Sequence, residues 1–248
     1  MPDTARKTVM LPTSELHIQR GLAQAKVDKA EALRYVGHTG QDIDEPLATR
    51  LDRIVERCEA IAVPSLAYRI FPVAPTDEGV RLEGSTLTLP GNDIATHLQG
   101  ACACGVLVVT LGLRYEQELQ RLNRTSGLDG LLFSTAGSSL VESAADICEA
   151  RIVAQAHAAG LQTNWRFSPG YGDLPLALQP EILRVLDAQR KLGVTANASN
   201  LLIPTKSTTA VLGLFQQGTE VSSVKKTCAH CNCAPHCTLR KQGTPCYR

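Results

Sequence analysis

The sequence predicts an α+β fold: a twisted, mainly antiparallel sheet flanked by helices, with a small cysteine-rich C-terminal metal-binding tail. Three observations point there. Helical periodicities are interspersed with short apolar runs and hairpin signals, with no regular strand–helix–strand repeat. Val106-Leu107-Val108-Val109 is continuously apolar, the pattern of a central strand covered on both faces. Of the nine cysteines, Cys228, Cys231, Cys233, Cys237 and Cys246 all follow Lys226, a clustering that suggests metal or redox chemistry rather than a disulfide scaffold.

A chain of 248 residues is long enough to bury a sizeable core, and with only 4% aromatics that core must be Leu, Val, Ile and Ala. A formal net charge of +1 gives no electrostatic reason to expect nucleic acid or an anionic membrane as partner. No apolar run reaches membrane-spanning length, and no signal-peptide core follows the N-terminus, so a cytoplasmic protein is expected. The expected organisation is an arm (1–20), one domain (21–224) and the tail (225–248).

Residues 1–20 lack clear periodicity and allow at most one short strand, Thr8-Val9-Met10-Leu11. A helix over 27–35 ends at Gly37; Arg34 and Tyr35 at its end could reach a ligand, but snorkelling is the favoured reading. Over 46–62, Leu47, Leu51, Ile54, Val55, Cys58 and Ile61 fall at helical spacing, which leaves Arg50, Arg53 and Arg57 outward and Cys58 a packed thiol. A strand over 66–71 and a hairpin over 80–89, turning at Glu83-Gly84-Ser85, come next. Asn92 is expected to cap a helix through Leu98. The central strand covers 105–113; Cys102 and Cys104 at its mouth are expected on opposite faces, in structural roles. A helix over 115–122 precedes the longest one, about 130–157, stopped by Gly160. Its apolar stripe is Leu140, Ala144, Ile147, Cys148 and Ile152; Glu142, Asp146 and Glu149 make an acidic one. A short strand covers 163–167. Pro180 opens a helix running to Lys191. Strands over 194–198 and 209–215 are joined by Pro204-Thr205-Lys206-Ser207. No phosphate-binding glycine loop and no Rossmann fingerprint occur.

The stretch with most chemistry is Arg166-Phe167-Ser168-Pro169-Gly170-Tyr171-Gly172-Asp173. Arginine offers a planar fork of donors to a carboxylate, glycine lets backbone lie against a ligand, and tyrosine adds a flat face with a polar tip. A Pro-Gly turn whose arginine caps a carbonyl would use the same residues.

Arg-x-x-x-Gly-Tyr, matched at Arg166, Gly170 and Tyr171, resembles the S-adenosylmethionine-binding motif in the activation domain of cobalamin-dependent methionine synthase. The stretches 174–181, 199–207, 31–37 and 110–112 are similar to free-standing relatives of that domain, so the resemblance runs from about Val27 to the C-terminus. It implies that Arg166 fixes the methionine carboxylate of S-adenosylmethionine. It further implies that Ser168, Pro169 and Gly170 lie against the ligand and that Tyr171 packs on it. In those relatives an acid follows a run like Ala136-Gly137-Ser138-Ser139, which implies Glu142 facing the sulfonium or ammonium. The chain lacks an Asp-x-His-x-x-Gly signature, so cobalamin is expected on a partner, a corrinoid protein or methionine synthase modules, alongside a low-potential electron donor. The implied task is reductive methylation of that cobalamin in trans, as a component rather than a complete enzyme. A self-contained methyltransferase and a metal-bearing interaction module are the alternatives.

In the tail, Cys-x-x-Cys at Cys228 and Cys231 lets two sulfurs converge on one ion, and Lys225, Lys226, Arg240, Lys241 and Arg248 favour thiolates. An iron–sulfur cluster on Cys228, Cys231, Cys237 and either Cys233 or Cys246 is one reading. Structural zinc, with His230 and His236 as further ligands, is a second, and free thiols or a labile disulfide a third. A cluster there could supply the electron that reductive methylation requires.

Overall fold

In the computed structural model, which describes residues 11, 15–221, 235–241 and 243, the chain runs β1 (His17–Arg20), α1 (Lys29–Tyr35), α2 (Glu45–Ile61), β2 (Ser65–Thr76), β3 (Gly79–Leu82), β4 (Thr88–Leu89), α3 (Asn92–His97) and β5 (Ala103–Thr110). It continues through α4 (Leu113–Thr125), α5 (Gly127–Ala158), β6 (Leu161–Thr163), α6 (Gln179–Val185), α7 (Ala188–Leu192), β7 (Thr195–Ala196), β8 (Leu202–Ile203) and β9 (Ser207–Gln216). Local chemistry sets the helix starts. The carboxylates of Asp28 and Asp44 and the hydroxyl of Ser126 accept N–H groups in the first turns of α1, α2 and α5. Gly160, at φ 72°, lets the chain leave α5.

One antiparallel sheet has the order β4-β3-β2-β5-β9-β6, with β1 paired to the first four residues of β2. The sheet is the middle layer. On β5, Ala103, Leu107 and Val109 join a core with α2, α4 and α5, while Cys104, Val106 and Val108 join a second core with α3, α6 and α7. Burial on both faces is why this strand has no polar alternation. Burial also pushes the thiols of Cys58, Cys104 and Cys148 up to about 12, so these cysteines pack as small apolar groups.

The small residues of α5 are occupied by protein. Gly137 lies against Tyr115 of α4, whose ring stacks on Phe133 and whose hydroxyl donates to the Phe133 carbonyl at 2.6 Å. Ser139 accepts the Asp28 N–H and Ser143 that of Lys26, tying down the approach to α1. A Cβ on Gly137 would collide with the Tyr115 hydroxyl. Gly137→Ala is therefore expected to cost about 1–3 kcal/mol in denaturant unfolding.

Several expectations are corrected. His17–Arg20 is a strand, although it falls in the stretch read as an arm. The helix expected to reach Lys191 breaks at Asp187, which takes the left-handed conformation (φ 48°). The strand expected over 194–198 shrinks to β7, paired with β8 in a separate ribbon. Asn92 is not a cap: it is the first residue of α3, and the preceding Gly91 carries no side chain to do the job. Cys102 and Cys104 do face different cores, but because Cys102 lies in the bend before β5; within a strand, alternation would put them on one face. Of the tail, Cys228, Cys231, Cys233 and Cys246 lie outside the described residues, as do Thr8, Val9 and Met10. Cys237 is half-buried, and its sulfur accepts the Arg240 N–H at 3.4 Å. Among the described residues no group of three or more His, Cys, Asp or Glu side chains is placed to hold a metal ion, and no helix is long and apolar enough to cross a membrane.

Candidate functional site

The edge of the sheet delivers the Arg166 stretch. After β6 the chain leaves the ladder, and Asn164 fills in by accepting the Gly213 N–H on its side-chain oxygen. The chain then rejoins at one point, where Phe167 exchanges two 2.8 Å backbone hydrogen bonds with Val211 of β9. Trp165 and Phe167 turn toward α3, against His97, whose Nε2 donates to the Trp165 carbonyl at 2.9 Å. Residue 166 lies between them in the alternation, so its side chain goes the other way, toward α5.

There Arg166 meets the whole acidic stripe. Its guanidinium pairs with Asp146 at 2.8 Å, Glu149 at 3.2 Å and Glu142 at 3.4 Å. The four side chains differ in burial. Arg166 is 14% exposed and Glu149 24%, whereas Glu142 and Asp146 are 51% and 70% exposed. The cation is thus fixed, and two of its carboxylates, Glu142 and Asp146, are mostly exposed to solvent. Three carboxylates face this one guanidinium. Nη1 of Arg166 is buried and has no acceptor among the described residues. An unsatisfied buried donor costs about 1–3 kcal/mol, more on a charged group, so it is a place where an incoming oxygen would be held.

Beyond Phe167 a tight turn follows. Tyr171 N–H donates to the Ser168 carbonyl, Gly170 N–H to Leu174 and Leu174 N–H to Tyr171. Gly170 adopts φ 94°, open only to glycine without strain. Pro169 is buried and Ser168 half-buried, while Tyr171 is 55% exposed with its ring edge toward Phe167.

Two neighbours border the stripe. Tyr35, at the end of α1, hydrogen-bonds Glu31; burial first, then the Glu31 and Glu142 carboxylates, push its phenol far above the usual range. Lys206 donates to Ser138, one turn before Glu142 on α5, at 2.8 Å, and burial holds its ammonium below the ordinary lysine value. The Lys206 loop is pinned by Glu116, which accepts the N–H and hydroxyl of Thr205 at 2.8 and 2.6 Å. Burial pushes the Glu116 carboxyl up, but the hydrogen bonds from Thr205 and Gln120 outweigh it and hold it below the ordinary value of 4.5. The stabilisation this gives is full above that value and is lost as the pH falls through the lower, folded-state one. Glu116→Gln should accordingly flatten the acid limb of a stability–pH profile measured by denaturant unfolding.

Of the residues singled out from sequence, Arg166 and Glu142 are brought together, and Gly170 and Tyr171 follow on the adjoining turn. Asp146 and Glu149 are equal partners of Arg166, though only Glu142 was expected as a ligand contact. Tyr35, expected to snorkel at its helix end sooner than to reach a ligand, borders the site.

No family model matches the chain, and no curated protein matches it. A solved structure is similar: the crystal structure of the MetH reactivation domain bound to AdoHcy, with a TM-score of 0.63 and 13% identity, covering 94% of this chain and 88% of that one. The chain shares the fold of that domain.

Proposed function

We propose that the chain binds S-adenosylmethionine between the Arg166 turn and the acidic face of α5, and presents its methyl group to cobalamin carried by a partner. The observation that supports this most is the buried Arg166 Nη1, without an acceptor among the described residues and beside three carboxylates. That pattern complements a ligand end with one carboxylate, one ammonium and one sulfonium. The fold it shares with a domain crystallised with AdoHcy agrees with the same reading.

In this reading Arg166 takes the ligand carboxylate on Nη1 while Glu149 keeps the guanidinium in place. Glu142 and Asp146 turn toward the ammonium and sulfonium. Gly170 admits the ligand against backbone, and Tyr171 covers it. The ligand supplies an electrophilic methyl, which passes to the partner's reduced cobalt while the carbon–sulfur bonding pair stays on sulfur. No side chain of this chain need move a proton; its contribution is orientation and proximity. The partner would be a corrinoid protein or methionine synthase modules, and a low-potential donor would restore the reduced cobalt. The Cys228–Cys246 tail is proposed to hold an iron–sulfur cluster or zinc. Elemental analysis and low-temperature spin resonance on anaerobically purified protein should show iron with a cluster signal, or stoichiometric zinc; neither metal would leave free thiols.

Titration calorimetry with S-adenosylmethionine tests the central reading, and saturable one-to-one binding is expected. Its absence would favour the interaction-module reading, which has one observation behind it: Arg166 is already paired with three carboxylates.

A further inference from the structure

We propose that Asp173 is a positioning residue, a latch that fixes the Ser168–Gly172 turn by capping a helix it does not belong to. α3 has no side-chain cap of its own. The Asp173 carboxylate supplies one from 81 residues away, accepting the Asn92 N–H at 2.6 Å and the Asp93 N–H at 3.1 Å. Asp93 returns the bond, accepting the Asp173 N–H on its carboxylate at 3.2 Å. This is a capping box split between two distant segments. The helix dipole favours the anion there.

The backbone is shaped for the contact on both sides. Gly91 (φ 122°) and Gly172 (φ 51°) lie where a Cβ would collide with the carboxylates of Asp173 and Asp93 respectively. The platform is firm, because Ile94 and Leu98 are buried in the second core and His97 packs on Phe167. The turn is therefore clamped at both ends, by the Phe167–Val211 bridge and by Asp173, and what stands exposed between the clamps is Gly170 and Tyr171. A turn held this way meets its ligand already ordered and loses less entropy on binding.

The inference about affinity rests on the ligand reading above; the inference about the clamp does not. Two measurements keep them apart. In Asp173→Ala, amide exchange at Gly170, Tyr171 and Leu174 should quicken about tenfold or more, with β5 and β9 unchanged, while Asp173→Asn, which keeps an oxygen acceptor, stays within about threefold of wild type. Unchanged exchange in Asp173→Ala would overturn the latch. The dissociation constant for S-adenosylmethionine should rise about tenfold in Asp173→Ala and be restored by Asp173→Asn. In an Arg166→Ala background the same change should cost much less, since residues acting as a unit are not additive. Faster exchange with unaltered affinity would leave Asp173 a structural cap and overturn its positioning role. Faster exchange in a chain whose wild type binds no S-adenosylmethionine would uphold the clamp and remove the ligand.

Discussion

Replacing Arg166 with alanine should weaken S-adenosylmethionine binding by about 1.5–3 kcal/mol, the range for a lost charge-assisted hydrogen bond. That is a change in dissociation constant of about ten- to over a hundredfold, well within reach of calorimetry. Arg166→Lys should recover little, because an ammonium cannot hold Glu149 and an incoming carboxylate on separate prongs. The fold should tolerate the loss, since two of the three partner carboxylates already stand in solvent. Unchanged affinity would place the ligand elsewhere or nowhere.

The largest effect on stability is expected from Phe133→Ala, at about 3–5 kcal/mol in denaturant unfolding. Phe133 is fully buried, and its ring lies 4.6 Å from that of Tyr115, nearly parallel to it. Truncation removes both the buried area and the platform that holds Tyr115 against Gly137. A loss below about 1 kcal/mol would mean that the α4–α5 contact closes over the cavity or adds little to the cooperative core. Because Phe133 lies about two and a half turns before Glu142 on α5, the variant that remains folded should keep most of its ligand affinity. That result would separate stability from binding at one helix.

How much was legible in the sequence depended on whether the determinant was local. The run at 106–109 announced a strand covered on both faces, and the spacing of Leu51, Ile54, Val55 and Cys58 announced α2. Both signals are carried by neighbouring residues. His17–Arg20 carried none, because its sequence becomes a strand only by pairing with β2. Arg166 and the acid stripe were each visible, but their meeting needed the strand geometry that sends residue 166 toward α5 while its neighbours face α3. Asp173 closed the Arg166 stretch with no role read from it, and that it caps a helix 80 residues earlier could be learned only from the folded chain. The break at Asp187 likewise had no glycine or proline to mark it.

The main sheet ends in very short strands. β4 offers two residues and β6 three, while the ten- and twelve-residue β9 and β2 lie inside. Backbone groups available for recruiting another copy side by side are correspondingly few. Concentrated solutions should therefore stay free of intermolecular ribbons as long as residues 161–167 remain zipped to β9; nicking the chain there would bare a long sticky margin.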